Sequence, residues 1–247
     1  MSWSRPISDD HHQSKSICQF RPIKGTVRKQ QTRASGATYI VTLAEATSLL
    51  STTKERAENL MIVDLIRHDL HGVVGSGNVN VRKLMVVEEY ESLFQLVSVI
   101  EGTLESPTTL LGTGRTSAEE KKNTEEARTG IDVLAASLPP GSMTGAPKRR
   151  SCQLLRGIED DQPRSVYSGV VGYMCVGGRG DFSVVIRSMF KWDVEGQQDT
   201  SQDSMQDEWH IGAGGAVTSL STEEGEWEEM NTKVMSTMGL FTSPRPT

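Results

Sequence analysis

A glycine-rich turn between two strand-like segments constrains the fold more than any other feature of the sequence. Ser165 to Val176 and Asp181 to Trp192 are rich in β-branched and aromatic residues, and Gly177-Gly178-Arg179-Gly180 joins them. Glycine-containing turns of this kind connect antiparallel strands. We therefore predict a β-hairpin in this region.

Helical segments accompany this hairpin. Apolar periodicity from Leu43 onwards predicts helices at residues 53–70, around 89–101, at 146–157 and at 224–238, and a short strand from Asn78 to Val81. No sequence period of about 20 to 50 residues recurs, which excludes solenoids and propellers. The sequence therefore predicts an α+β fold in which helices and antiparallel strands are mixed.

Polar residues are concentrated in a few tracts rather than spread along the chain. Only 36% of the 247 residues are hydrophobic, so we expect a folded body with solvated insertions. We predict that residues 1–16 are loosely held unless a following strand ties them down, with order beginning near Ile17, and that residues 17–241 form the domain. Within it, 105–129 and 194–207 are predicted insertions, and 242–247 is a tail.

Charge and composition exclude several classes of partner. The net charge is −6 and no basic run is present, which argues against nucleic acid. No apolar window approaches the roughly 18 residues of a membrane span, and the chain starts without a secretion signal. Three cysteines without paired spacing suit a reducing compartment, and we assign no zinc site. We expect a cytoplasmic protein.

Two predicted helices carry the same Glu-x-x-Glu spacing. Glu55 and Glu58 share a helix face, as do Glu226 and Glu229. Brought together, the two pairs would offer the hard oxygen ligands that Mg²⁺ prefers. Taken singly, each pair is far more typical of a solvated helix face than of a metal site.

Several unusual strings occur in a fixed order along the chain. They are Arg21-Pro22-Ile23-Lys24-Gly25-Thr26, Glu55 to Leu70, Gln95-Leu96-Val97-Ser98, Gly141-Ser142-Met143-Thr144-Gly145-Ala146-Pro147-Lys148, Tyr167-Ser168-Gly169, Ile186-Arg187-Ser188, and Gly212-Ala213-Gly214 before the second acidic helix. From about Cys18 to Leu240 this order resembles the chorismate-binding enzymes. The resemblance implies an α/β sandwich of antiparallel sheets flanked by helices, with chorismate and Mg²⁺ bound in a cleft.

The same resemblance implies a role for each matching residue. Glu58 and Glu229 would contact the metal, with Glu55 and Glu226 beside them. Arg187 and Tyr167 would bind a substrate carboxylate. The remaining substrate-binding positions implied by the family motifs are Thr144, Gly145, Gly214 and Lys233.

Lys24 is the residue that most narrows the choice within the family. Anthranilate synthases carry Ala at this position, whereas aminodeoxychorismate synthases carry a lysine that is understood to add to the chorismate ring. That resemblance implies ammonia from a glutamine amidotransferase, as a separate subunit or a fused N-terminal domain. Asn59 and Gln95 replace histidines common in anthranilate synthases, which favours the same branch.

Three alternatives stay open at this point. Lys24 could be an exposed strand-edge lysine, and the chain could be an anthranilate synthase component I or another chorismate-using synthase. It could also be a truncated, non-catalytic remnant. The family's Ser-Pro-Glu-Arg-Phe motif, whose Glu is the expected general acid, would lie just before Ser2, so we expect an incomplete domain at the N-terminus.

Overall fold

The computed structural model describes residues 1–4, 7–8, 14–32, 36–106, 128–192 and 208–242. The predicted insertions at 105–129 and 194–207 and the predicted tail at 242–247 therefore lie almost entirely outside the described residues. The described strands are β1 Ser2–Trp3, β2 Ile7–Ser8, β3 Ser14–Phe20, β4 Ile23–Arg28, β5 Gln30–Thr32, β6 Thr38–Ile40, β7 Val79–Glu89, β8 Leu93–Ser106, β9 Val170–Met174, β10 Gly180–Val184, β11 Met189–Phe190 and β12 His210–Ile211. The described helices are α1 Leu43–Leu50, α2 Thr53–Val74, α3 Gly130–Ser137, α4 Gly141–Thr144, α5 Lys148–Ile158 and α6 Glu223–Thr242.

The chain divides into two compact units, and neither is continuous in sequence. The first comprises Met1–Ile158 and Gly172–Ser183, and the second comprises Glu159–Val171 and Val184–Thr247. Within the described ranges, no helix is both long enough and apolar enough to cross a membrane.

Among the described residues, one eight-stranded sheet has the path β4-β8-β3-β1-β10-β9, with β2 on β3 and β7 on β8. Strand β8 is central to it: β3 and β4 pair with successive parts of β8, and β7 also pairs with it, all antiparallel. The predicted hairpin is confirmed as β9 and β10, although both strands are shorter than the pattern indicated.

The first residues of the chain belong to this sheet, although their polar surroundings predicted loose order before Ile17. Ser2–Trp3 pairs with β3 on one side and with β10 on the other. The Trp3 side chain is only 6% exposed and stacks on Phe182, with ring centroids 5.6 Å apart. Its indole N–H donates to the Gly178 carbonyl at 3.0 Å. Burial of this large ring explains why a two-residue strand is held in place.

The helix predicted around residues 89–101 is wrong, because most of this segment lies in strand β8. Phe94, Leu96, Val97, Val99 and Ile100 are all buried. A strand that packs on both faces shows a continuous apolar run rather than alternation, and such a run cannot be distinguished from a buried helix by periodicity. Pairing with β3, β4 and β7 makes this segment a strand rather than a helix.

The other predicted helices are confirmed, as α2, α5 and α6, and the predicted short strand is the start of β7. The long helix α2 begins after Thr52, whose side chain accepts a hydrogen bond from the Glu55 N–H. Its apolar residues Val63 and Leu70 join the main core cluster. Leu70 packs closely on Gly102 of β8, where an added Cβ would lie 2.8 Å from Leu70 Cδ2.

Glu101, also in strand β8, forms a polar network with neighbouring strands. It accepts a hydrogen bond from Arg82 Nε at 2.7 Å and another from Gln19 Nε2 at 3.0 Å. The hydrogen bond from Arg82 is the main reason that the pKa of Glu101 lies below its ordinary value, and burial partly opposes it.

Candidate active site

In the first unit, a lysine from the sheet meets a glutamate from helix α2. Lys24 lies in β4, and its Nζ is 2.5 Å from Glu58 Oε2. The Lys24 side chain is 19% exposed and that of Glu58 only 4%. Lys54, one turn before Glu58 on the same helix, approaches the other carboxylate oxygen at 4.0 Å. Lys24 therefore pairs with a buried acid, and its side chain is largely enclosed although β4 is the terminal strand of the sheet path.

The backbone of β4 is irregular at the contact between Lys24 and Glu58. The register between β4 and β8 shifts between Ile23 and Thr26, so Lys24 and Gly25 lie in a bulge. Gly25 has φ +87°, and an added Cβ would lie 2.9 Å from Glu55 Oε2. Glycine is thus required both by the left-handed backbone and by the close approach of Glu55.

A buried hydrogen-bond chain fixes α2 next to Glu58. Asn59 is fully buried and accepts a hydrogen bond from Ser98 Oγ at 2.6 Å. Ser98 Oγ in turn accepts from the Met85 N–H at 2.9 Å, and the Ser98 N–H donates to the Pro22 carbonyl at 3.1 Å. Three of the sequence strings therefore meet here. We name Lys24, Gly25, Glu55, Glu58, Asn59 and Ser98 the lysine–glutamate cluster.

The role of Ser98 was missed by reasoning from sequence. The residue was part of a quoted string, but nothing in its spacing indicated that it would bind Asn59. The only available signal was that a buried amide next to an acidic position requires a partner.

The predicted substrate-binding turn at Thr144 and Gly145 also lies in the first unit. Gly145 has φ +110°, and its N–H donates to the Gly141 carbonyl at 2.8 Å. The Thr144 hydroxyl donates to the Pro140 carbonyl at 3.1 Å. Both donors are thus used inside the turn, and their contact with a substrate stays a prediction. Lys148, just beyond, binds Asp69 of α2 at 2.6 Å.

In the second unit, two glycines lie against Tyr167. An added Cβ on Gly212 would overlap the Tyr167 ring at 2.3 Å, and one on Gly214 would lie 3.3 Å from the phenolic oxygen. Small residues in the Gly212-Ala213-Gly214 string therefore make room for the ring. From sequence alone these glycines could equally have served a turn, whereas in the structure they are needed for packing against Tyr167.

Helix α6 contacts one of these glycines, Gly214, through Lys233. Its Nζ donates to the Gly214 carbonyl at 3.0 Å and pairs with Glu229 at 2.7 Å. Glu226 is buried, accepts a hydrogen bond from Ser221 Oγ at 2.7 Å and lies against Gly215, where an added Cβ would be 2.7 Å from Oε2. Glu229 is more exposed than Glu226.

Burial raises the pKa of the Tyr167 phenol. The positive charges of Arg164 and Arg187 oppose this rise, and the negative charge of Glu159 adds to it. The phenol consequently stays protonated near neutral pH and can donate a hydrogen bond. Arg187 has φ +53°, which holds its backbone in the left-handed region. We name Tyr167, Arg187, Gly212, Gly214, Glu226, Glu229 and Lys233 the tyrosine–lysine cluster.

Each unit offers a pair of carboxylates to a cation, Glu55 with Glu58 in the first and Glu226 with Glu229 in the second. Over residues 1–4, 7–8, 14–32, 36–106, 128–192 and 208–242, no group of three or more His, Cys, Asp or Glu side chains is arranged to hold a metal ion. The donor chemistry nevertheless fits Mg²⁺, which takes one or two carboxylates and keeps several waters. Within the same ranges, neither Glu58 oxygen accepts a well-directed hydrogen bond, which leaves lone pairs for a cation.

By fold and site, the chain is an α+β protein that carries buried carboxylates together with cationic side chains suited to a charged small molecule. Residues 12–239 match the sequence profile of the chorismate binding enzymes. The chain belongs to that family, as its sequence strings predicted.

Similar proteins and solved structures agree with this assignment. The chain is 44% identical over 232 residues to the aminodeoxychorismate synthase of Saccharomyces cerevisiae, covering 91% of this chain and 25% of that protein. It is 40% identical to a putative aminodeoxychorismate synthase of Schizosaccharomyces pombe, covering 91% and 26%. Anthranilate synthase components match at lower identity. The chain thus spans about a quarter of the length of the relatives it matches first.

Among solved structures, the fold is similar to that of a putative 2,3-dihydroxybenzoate-specific isochorismate synthase from Bacillus anthracis. The TM-score is 0.61 at 17% identity, over 97% of this chain and 57% of the other. This similarity confirms the predicted fold class, an α+β arrangement of antiparallel strands flanked by helices, over the part of the fold that the chain spans.

Proposed function

We propose that this chain forms the chorismate-binding part of an aminodeoxychorismate synthase. The reaction converts chorismate and ammonia to 4-amino-4-deoxychorismate for para-aminobenzoate and folate biosynthesis. One observation carries the proposal: Lys24, the residue type that distinguishes this branch of the family, lies against the buried acid Glu58. The identity of the chain to aminodeoxychorismate synthases supports it.

In this proposal the carboxylates would hold Mg²⁺, with Glu58 and Glu229 as the direct ligands and Glu55 and Glu226 beside them. When bound, the ion would offset part of the negative charge of the substrate. Glu58 and Glu226 are supported by their burial, because a buried carboxylate is stabilised by a cation more than an exposed one is.

The tyrosine–lysine cluster would bind a substrate carboxylate. The Tyr167 phenol, which stays protonated, donates one hydrogen bond, and the guanidinium of Arg187 adds charge-assisted donors. Lys233 holds the Gly214 carbonyl and Glu229 in place, so a substrate near Gly214 would face an ordered backbone. Thr144 and Gly145 complete the proposed substrate-binding residues.

Lys24 would act as the nucleophile in its neutral amine form. Its amine would form a C–N bond to the chorismate ring while the C–O bond of the departing hydroxyl breaks, and the hydroxide would leave as water by taking up the proton that the nitrogen loses. Ammonia then forms a new C–N bond at the ring and the bond to Lys24 breaks, which returns the lysine to its starting state. We propose that a glutamine amidotransferase, as a separate subunit or a fused N-terminal domain, supplies the ammonia, and that the reaction takes place in the cytoplasm.

The test is product formation from chorismate, ammonium and Mg²⁺. The chain would be assayed alone and together with the part of the S. cerevisiae relative that it does not cover, with 4-amino-4-deoxychorismate detected by chromatography. We expect Lys24→Ala to lower the rate by about 100-fold or more. Lys29→Ala is the matched control, because Lys29 is similarly half-enclosed and paired with Glu89 at 2.8 Å.

Three results would contradict the proposal in different ways. Full activity in the Lys24→Ala variant would remove the nucleophile. Production of anthranilate would indicate an anthranilate synthase component I. Absence of chorismate and Mg²⁺ binding by calorimetry would indicate a non-catalytic remnant.

A further inference from the structure

Lys24 occupies a position in the structure that differs from the one its proposed chemistry requires. Its Nζ lies 2.5 Å from Glu58 Oε2, whereas a nucleophile must approach a ring carbon. Glu58 is likewise paired with a lysine, whereas the proposed function gives its oxygens to a divalent cation. If the proposed function holds, the two residues would separate before either performs its role.

The contact with Lys24 compensates a buried charge. Glu58 is almost wholly enclosed, and taking a carboxylate out of water is costly unless a counter-charge lies nearby. In the described parts of the chain neither Glu58 oxygen accepts a well-directed hydrogen bond, and Lys54 is 4.0 Å away. Lys24 is thus the close counter-ion of Glu58.

A lysine ammonium and a divalent cation would compete for this carboxylate. A Mg²⁺ ion bound to a carboxylate oxygen sits at about 2.0–2.1 Å from it. An ion on the oxygen that Lys24 contacts would lie within about 5 Å of an ammonium, where like charges repel strongly in a water-poor site. Binding of the cation therefore favours departure of Lys24.

We propose, on the basis of the proposed function, that Lys24 is a built-in counter-ion that holds Glu58 until a divalent cation binds. Cation binding then releases the Lys24 side chain toward the substrate. Coupling of this kind is reciprocal: a change that removes Lys24 from Glu58 strengthens cation binding by the same factor by which the cation weakens the ion pair.

Titration with Mn²⁺, followed by the loss of its free-ion electron paramagnetic resonance signal, tests the coupling. We expect Lys24→Met to bind Mn²⁺ about 10-fold or more tightly than the unchanged chain. Lys54→Met is the matched control, because it removes the same charge beside the same carboxylate. Lys54 lies 4.0 Å from the other carboxylate oxygen and its side chain is 33% exposed, so solvent screens its charge and we expect its removal to change affinity by no more than about 3-fold. Glu58→Gln should abolish the gain in the Lys24→Met background.

A second measurement uses the unchanged chain and so does not depend on the folding of a variant. Reductive methylation, with each lysine quantified by mass spectrometry, reports access to the amine. We expect saturating Mg²⁺ to raise the labelling rate of Lys24 by about 3-fold or more. Lys148 should not change, although it is equally enclosed and pairs with Asp69 at 2.6 Å.

The outcomes separate this inference from the proposed function. Mn²⁺ binding that needs Glu58 but is unaffected by Lys24→Met, or is strengthened equally by Lys54→Met, would overturn the inference and leave the metal site standing. Unchanged labelling of Lys24 with Mg²⁺ bound would do the same. Absence of Mn²⁺ binding in every variant would overturn the metal site and the inference together.

Discussion

Replacing Trp3 tests whether the start of the chain is part of the core. In the structure its ring stacks on Phe182 and covers two glycines, with an added Cβ on Gly130 or Gly180 placed 2.3 Å from ring atoms. Trp3→Ala should therefore lower the free energy of unfolding by about 3–5 kcal/mol, the usual cost of deleting a buried aromatic side chain. Trp3→Phe keeps a ring but loses the hydrogen bond to Gly178, so about 1–2 kcal/mol is expected.

The assay is urea unfolding followed by far-ultraviolet circular dichroism. Trp227→Ala is the matched control, since Trp227 is 63% exposed, and its removal should change the free energy of unfolding by less than about 0.5 kcal/mol. If Trp3→Ala lost no more than this control, the strand Ser2–Trp3 would not contribute to the stability of the sheet, and the argument from its burial would be refuted.

Three further predictions follow from backbone strain, thiol burial and a paired carboxylate. Gly25→Ala should destabilise the protein by about 1–3 kcal/mol more than Gly36→Ala, measured by thermal unfolding. Both glycines have φ above +80°, but of the two only Gly25 has side chains within 4 Å of an added Cβ. Equal losses of stability would contradict this. Cys175 should react with iodoacetamide well before Cys18. A backbone N–H lowers the pKa of the Cys175 thiol, whereas burial raises the pKa of Cys18 to about 12. Comparable reaction rates in the folded protein would refute this prediction. The pKa of Glu101 is lowered in the folded protein, so its pairing stabilises the fold above the ordinary pKa of 4.5, and this stability is lost as the pH falls through the folded pKa. Glu101→Gln should therefore reduce the loss of stability at acid pH. Parallel stability–pH curves for the two proteins would show that the pairing has no effect.

The fold class could be predicted from the sequence because the patterns that indicate it act over short stretches of the chain. The glycine turn predicted the hairpin, and amphipathic spacing predicted α2 and α6, since each of these patterns acts within a few residues. The error at β8 has the opposite origin. Its apolar run fits either a helix or a strand, and only pairing with β3, β4 and β7, which are distant in sequence, makes it a strand.

The sequence indicated which residues belong to the candidate site, but it did not predict which of them contact each other. Motif resemblance indicated both Lys24 and Glu58, yet nothing in their spacing predicted that one neutralises the other. That contact depends on a bulge in β4 and on the position of α2, both set by tertiary packing. The link from Lys233 to the Gly214 carbonyl was likewise not predictable, because it joins a helix to an irregular loop.

The pairing of the first strand with β10 has a consequence for synthesis of the chain on the ribosome. Ser2 pairs with Asp181 and Trp3 with Gly180, so one edge of Ser2–Trp3 has no neighbour until that part of the chain has been translated. At about 5–20 residues per second, the delay is roughly 10–40 seconds. During this time the open edge can pair with other nascent chains, so we expect slower translation to lower the yield of folded protein.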